Sequence, residues 1–263
     1  MKAWTYRPDP TLGLSLAEQL TVFPRASDPA QSVLRLVWNL SVRVWLRLYF
    51  RLRVAGREHL PADGRFVLVA NHSSHLDAVG LAAALPLSAV DRTFAVAARD
   101  YFFSSLWRSL FSAVFLNALP FDRKARDRSS LELCADVLRV GRGALIMFPE
   151  GTRSLDGRIQ AFKRGIGILA AGTDLPVVPA FIEGARRAWP KGSRFPRPLR
   201  VRVTIGAPRT FADVPADRNG QVHVTAEVER AVRALAEGRG VEDGAAAAAP
   251  GQAIGRDAVG RTE

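Results

Sequence analysis

The chain has 263 residues, of which 48% are hydrophobic and 24% are charged, and its 37 Lys and Arg against 25 Asp and Glu give a net charge of +12. These proportions match an ordinary globular domain with additions, and they exclude wholesale disorder, a collagen-like repeat and a pure coiled coil. The single cysteine, Cys134, excludes an internal disulfide and a four-cysteine zinc site. We therefore expect an intracellular protein.

The excess positive charge favours a nucleic acid, an anionic membrane surface or a phosphorylated substrate as partner, and composition does not choose among them. Arginines interrupt every apolar stretch, so none reaches the roughly 20 residues of a spanning helix. Asp9 and two prolines stand where the apolar region of a signal peptide would begin. We expect neither a spanning helix nor export.

Residues 1–28 are predicted to be a loose lead, and residues 29–56 an amphipathic helical segment in a membrane interface. Arg43, Arg47 and Arg51 recur at every fourth position, so a helix would align them in one charged stripe. Arginines that meet anionic lipid, with tryptophans at the headgroup boundary, are typical of an interfacial helix. The alternative is a helix that caps the core with its arginines in water, and both can hold.

Strand-like and helix-like segments alternate over residues 57–237, which predicts an α/β domain with a largely parallel central sheet flanked by helices. The predicted strands are the apolar runs 66–70, 93–98, 114–121, 144–148, 177–182 and 199–206. The predicted helices are 77–85, 127–140, 163–172 and 222–237. Residues 238–263 are rich in Gly and Ala, and we expect a disordered tail.

The segment NHSSHLD follows the first predicted strand, at the edge where open α/β sheets bind ligands. His72 and Asp77 would point about 140° apart on one continuous helix, so they can meet only if His72 lies on a turn before the helix. Two alternatives remain open. Ser74 and Asp77 fit a capping box, and His72, His75 and Asp77 could bind a metal, although binuclear hydrolases use a different spacing and we expect none.

A second polar segment, FPEGTRS, follows the predicted strand 144–148. Gly151 permits the close approach of a ligand, and Arg153 carries a planar fork that matches phosphate oxygens. The alternative is a salt bridge between Glu150 and Arg153 in a turn. Farther along, FKRG places Lys163 and Arg164 at the start of a predicted helix, where they could share one anion.

Two further segments are weaker signals. FDR carries Arg123 ahead of several basic residues, and a solvated basic loop explains it equally well. VVPAFIEG places Pro179 in a predicted strand, and because proline has no backbone N–H we expect a sheet edge or a bulge there.

The ordered set NHSSHLD, FDR, FPEGTRS and VVPAFIEG closely resembles the four sequence blocks of the glycerolipid acyltransferases, above all the 1-acylglycerol-3-phosphate acyltransferases. The resemblance covers about residues 35–210, with Pro120 as a departure in the second block. It implies that His72 is the general base on the acceptor hydroxyl and that Asp77 holds its ring. The implied substrate-binding residues are Arg123, Glu150, Gly151, Thr152, Arg153, Lys163 and Pro179, the last as a residue that shapes the site.

The resemblance implies transfer of a fatty acyl group from acyl-CoA or an acyl-carrier protein to lysophosphatidate, giving phosphatidate. It implies no cofactor, and a place at the cytoplasmic face of the cell membrane as a peripheral or monotopic protein. Another lysophospholipid or lipid-linked acceptor stays open. A non-catalytic basic module that binds membranes or nucleic acid would leave His72, Asp77 and Arg153 without a task. We expect no nucleic acid partner, since the aromatic residues do not interleave with basic ones on a sheet face.

Overall fold

The apolar runs form the strands of one sheet in the computed structural model, which describes residues 29–98, 119–121, 129–140 and 143–238. The strands are β1 (Arg53–Ala55), β2 (Phe66–Ala70), β3 (Thr93–Ala98), β4 (Leu119–Phe121), β5 (Ala144–Met147), β6 (Val177–Glu183) and β7 (Arg202–Ile205). Several predicted features lie outside the described residues. They are the N-terminal lead (1–28), nearly all of the C-terminal tail (238–263), most of the predicted strand 114–121 and Arg123.

The sheet has the strand order β1-β7-β6-β2-β5-β3-β4. Neighbouring strands are parallel except for β6 and β7, which are antiparallel. The expected largely parallel α/β fold is therefore confirmed. Because β2 and β5 are parallel neighbours, the chain leaves both at the same edge of the sheet, and this brings the two polar segments that follow them together.

Helices cover both faces of the sheet because the side chains of its strands alternate. Leu68 and Ala70 of β2 pack into one apolar cluster with α1 and α2, and Val67 and Val69 pack into a second with α3, α4 and α6. The helices are α1 (Pro29–Tyr49), α2 (Leu76–Ala84), α3 (Ser129–Val140), α4 (Gly165–Ala170), α5 (Ala185–Ala188) and α6 (Arg218–Ala236). Short 3₁₀ turns occupy Arg57–His59 and Leu87–Arg92.

Helix α1 ends before the predicted helical segment does. The backbone N–H of Leu52 donates to the carbonyl of Leu46, and Arg51 has a φ of 48°, which together make a left-handed C-terminal cap. Residues 53–55 then form β1 beside β7, so the prediction of helix at Arg51 and at β1 is wrong. The alternation of basic and apolar residues from Arg51 onward also fits a strand, and pairing with β7 selects it.

The two sides of α1 have opposite environments. Leu46 and Phe50 are buried in the core against the sheet. On the opposite side lies a row of exposed apolar residues, here called the apolar stripe, which consists of Val33, Val37, Leu40, Val44 and Leu48. Within the described residues, no helix combines the length and the hydropathy needed to cross a membrane.

Pro179 lies in the interior strand β6, between β2 and β7. The pairing of β6 with β7 ends at Ala180 and Ile205, and an isolated bridge joins Val177 to Arg209. Between these two pairs, the segment that follows β7 has one residue more than β6. Pro179 therefore lies in β6 opposite the extra residue of a bulge, where the regular ladder is interrupted and proline is tolerated inside a sheet.

Candidate active site

Asn71 marks the point where β2 ends and the polar segment begins. Its side-chain amide donates to the carbonyl of Ile182 at 3.1 Å, and its side-chain oxygen accepts from the N–H of Ile182 at 2.8 Å. This buried side chain replaces a backbone partner for β6 and fixes the direction in which the loop leaves the sheet. Asn71 belongs to the polar segment NHSSHLD but not to the predicted site residues, although a short amide directly after a buried strand is a usable signal.

His72 and Asp77 meet across the turn between β2 and α2. His72 Nδ1 lies 2.9 Å from Asp77 Oδ2, and the same oxygen accepts from the backbone N–H groups of Ser73 at 2.6 Å and Ser74 at 2.8 Å. A carboxylate can only accept, so Nδ1 carries the proton and Nε2 is the nitrogen left for a substrate. The Asp77 side chain is fully buried, whereas 22% of the His72 side chain is exposed.

The capping interpretation of Ser74 and Asp77 is correct in part. Asp77 reaches back to the N–H of Ser74 as a capping box requires. Ser74 Oγ, however, accepts from the N–H of Leu76 and donates to the carbonyl of Trp189 at 2.7 Å. One carboxylate oxygen therefore orders the start of α2 and holds the His72 ring.

The FPEGTRS segment packs directly on His72. The Phe148 ring stacks on the imidazole at 4.2 Å between centroids. Glu150 Oε1 accepts from the backbone N–H of His72 at 2.8 Å, and the N–H of Ser154 donates to the His72 carbonyl at 2.8 Å. The Phe148 ring therefore covers one face of the imidazole, and the two hydrogen bonds fix the backbone of His72.

Glu150 is a buried residue, and only 2% of its surface is exposed. Burial raises the pKa of Glu150 to about 7, although the backbone N–H groups of His72 and Gln160 favour its charged form. A carboxyl group in this position supports the His72 backbone and is covered from solvent. The contact that the structure shows for Glu150 is with the backbone of His72, and a direct contact with substrate stays a prediction.

Arg153 reaches the second histidine of NHSSHLD. Its Nη1 lies 2.8 Å from His75 Nδ1 and 2.6 Å from His75 Nε2. Burial, followed by the positive charge of Arg153, lowers the pKa of His75 and favours the neutral ring that can accept from the guanidinium. Within the described part of the chain, no three His, Cys, Asp or Glu side chains are arranged to hold a metal ion.

Lys163 lies over the loop that carries Arg153. Gly151 has a φ of 72°, a left-handed backbone conformation that favours glycine. A Cβ atom at this position would fall 2.6 Å from Lys163 Nζ, but the flexible lysine side chain can move away. The backbone conformation is therefore the main reason for glycine here. Thr152 is exposed beside it. Pro179 is level with Val69 on β2, three residues before His72, so it lies within the sheet below the site.

The structure is thus an α/β protein with a largely parallel sheet. A histidine–carboxylate pair lies at the carboxyl edge of this sheet with basic residues beside it, an arrangement suited to general-base chemistry. A family model described as Acyltransferase matches residues 51–183, about half of the chain. The chain is 30% identical over 202 residues to human 1-acyl-sn-glycerol-3-phosphate acyltransferase alpha, covering 73% of this chain and 68% of that protein. The chain belongs to the acyltransferase family, among the relatives of the 1-acyl-sn-glycerol-3-phosphate acyltransferases.

Two further comparisons agree with this assignment. The 1-acyl-sn-glycerol-3-phosphate acyltransferase of Limnanthes douglasii is 30% identical over 167 residues, which are 64% of this chain and 57% of that protein. The chain thus spans little more than half the length of that relative. The crystal structure of the 1-acyl-sn-glycerophosphate acyltransferase from Thermotoga maritima superposes with a TM-score of 0.58 at 25% identity, covering 83% of this chain and 86% of that one.

Proposed function

We propose that this chain is an enzyme that transfers a fatty acyl group from a thioester to the free hydroxyl of 1-acyl-glycerol-3-phosphate. The donor is acyl-CoA or an acyl-carrier protein, and the product is phosphatidate. The observation that carries the proposal is the 2.9 Å contact between His72 Nδ1 and Asp77 Oδ2. The names of the relatives support the acceptor, and the same chemistry on another lysophospholipid or lipid-linked acceptor is the second candidate.

In the proposed reaction, His72 Nε2 takes the proton of the acceptor hydroxyl as its oxygen bonds to the thioester carbonyl carbon. Asp77 stabilises the imidazolium that forms, because its charge lies 2.9 Å from Nδ1. The carbon–sulfur bond then breaks, and the departing thiolate receives the proton from His72. No covalent acyl-enzyme is needed, so Ser73 and Ser74 keep structural roles.

Arg153 is the proposed partner of the acceptor phosphate, with Lys163 as a second cation over the same loop. A guanidinium held by His75 is aligned before substrate arrives, which lowers the entropy lost on binding. The apolar stripe of α1 supplies the proposed membrane contact, at the cytoplasmic face of the cell membrane.

The test is a panel of lysolipids with a labelled acyl donor, with CoA and carrier-protein thioesters compared and products identified by mass. We expect His72→Ala and Asp77→Asn to lower kcat by about 100-fold or more, the size expected for a general base and its support. His223→Ala, at an exposed position on α6, is the matched control and should keep its turnover. A folded His72→Ala with normal turnover would reject the assignment.

A further inference from the structure

Five arginines line one open cavity of about 650 Å³ beside α1. Its walls come from the C-terminal half of α1, from the connection to β1 and β1 itself, from the 3₁₀ turn that follows and from the end of α2. The lining residues are Arg43, Arg47, Arg51, Leu52, Arg53, Val54, Arg57 and Ala83. No acidic side chain is among them within the described residues. We call this site the arginine cavity.

The arginine cavity is separate from the candidate active site. It reaches the C-terminal end of α2 at Ala83, whereas His72 lies before the N-terminal end of the same helix. A helix of nine residues is about 13 Å long, so the length of α2 separates the two positions.

The fold brings these like charges together without a counter-charge in the lining. Arg43 Nη2 donates to the carbonyls of Ala82 at 3.2 Å and Leu85 at 2.7 Å, and Arg57 donates to the carbonyl of Ala83 at 3.4 Å. These carbonyls at the end of α2 satisfy donors but supply only partial charge. Burial and the charge of Arg57 lower the pKa of Arg43, and a bound anion would offset both effects.

Arg51 adds an independent observation. It holds a φ of 48° at the cap position of α1, where glycine is the usual residue. A side chain kept in a left-handed conformation costs free energy, and such strain concentrates where the side chain has a task. Here the side chain lines the arginine cavity.

The surroundings identify the kind of anion. Arg47 lies between Val44 and Leu48 of the apolar stripe along α1, and both of these residues are exposed. A soluble phosphate compound needs no such surface, but a phospholipid presents an anionic head group directly above acyl chains. We propose that the arginine cavity binds the phosphate of anionic phospholipid head groups while the apolar stripe enters the acyl boundary. This inference deepens the proposed function, because the acceptor lipid would lie in the same membrane.

The test compares binding to phosphatidylcholine vesicles with and without about one-third phosphatidylglycerol. The variant is Arg47→Gln/Arg53→Gln, since both side chains are exposed, whereas Arg43 and Arg57 bind backbone carbonyls. At about 1 kcal/mol for each arginine near an anionic surface, we expect its affinity for the anionic vesicles to fall about 30-fold.

Two matched double variants distinguish binding at the arginine cavity from attraction by the overall positive charge of the protein. Arg218→Gln/Arg230→Gln removes the same charge from α6, on the opposite face of the sheet, and should change affinity by less than about threefold. Arg47→Lys/Arg53→Lys keeps the charge but loses the planar forks, and its affinity should fall between the two. Equal binding by all three double variants would overturn the proposal.

The protein is also titrated with CoA and with inorganic phosphate without vesicles, to test the other sources of phosphate. If Arg47→Gln/Arg53→Gln loses affinity for either compound while vesicle binding persists, the cavity serves a soluble phosphate compound and the lipid assignment fails. Acyl transfer by the wild-type protein in neutral detergent micelles is measured separately. If the protein transfers acyl groups but does not bind anionic vesicles, only the lipid assignment of the arginine cavity is rejected. If it binds the vesicles but does not transfer acyl groups, only the proposed function is rejected.

Discussion

Asp77 performs two tasks with one oxygen atom. Oδ2 accepts from two backbone N–H groups at the start of α2 and from His72 Nδ1. Its carboxylate is therefore held by the local fold before any substrate binds, and the imidazole takes its orientation from it. A residue that sequence patterns assign to helix capping can in this way also orient the imidazole that we propose as the general base.

Arg153→Ala should raise the KM of a phosphate-bearing acceptor by about 10-fold or more, because a charge-assisted hydrogen bond to phosphate is lost. The KM of the thioester should change little. Arg158→Ala, at an exposed position on the following loop, is the control for a lost positive charge. Steady-state kinetics with each substrate varied in turn gives both constants, and a rise confined to the thioester would show that Arg153 serves the donor.

Glu150 predicts how stability depends on pH. Its pKa is raised from 4.5 to about 7 in the folded protein, so the folded state binds more protons than the unfolded state between those values. The stabilisation from its neutral form is complete below about pH 4.5 and is lost as the pH rises through about 7. Urea unfolding from about pH 5 to about pH 8 should show a falling midpoint for wild type.

Glu150→Gln keeps an acceptor for the His72 N–H and removes the titration, so its midpoint should fall less over the same range. The difference between the two proteins cancels the other titrating groups. Parallel curves would mean that Glu150 is already ionised in the folded protein at the lower pH.

The end of α1 shows how an element boundary is set by packing. Burial of Leu46 and Phe50 holds the last turn against the sheet, and the chain must then reverse quickly to reach β7. Arg51 takes the left-handed conformation that this reversal requires. A helical pattern in the sequence continues past this point and contains no glycine to mark the end.

Arg51→Gly should raise the free energy of unfolding by about 1 kcal/mol, because glycine adopts a positive φ without the steric cost. Arg51→Ala is the matched control: it removes the charge but keeps a Cβ atom in the strained conformation. Urea denaturation measures both. Equal stabilisation by the two variants would show that repulsion among the arginines, and not the backbone, is the source.

At the scale of the whole molecule, α1 joins one of the two core clusters on one side and carries the exposed apolar stripe on the other. Leu46 is 1% exposed in the core and Leu48 is 74% exposed on the apolar stripe. Because α1 belongs to the core, deletion of residues 1–54 would uncover the sheet, so point variants are the better probe of membrane contact.

Leu46→Ala should lower the free energy of unfolding by about 2–5 kcal/mol through the cavity that it leaves. Leu48→Ala should change it by less than about 0.5 kcal/mol and should weaken binding to anionic vesicles. Denaturation and vesicle pelleting on the same two proteins check this. Comparable destabilisation by both would mean that the stripe packs against protein.

Local patterns in the chain were sufficient to predict the inner strands, most helices and the pairing of His72 with Asp77. Those features depend on local patterns: apolar runs, turn residues and, in NHSSHLD, the spacing of five positions between His72 and Asp77. Long-range packing placed β1 in the sheet, brought Arg153 to His75 and gathered five arginines around one cavity. His75 and Arg153 are 78 residues apart, and their contact follows from β2 and β5 being neighbours, which no local pattern encodes because strand order is decided by packing over the whole chain.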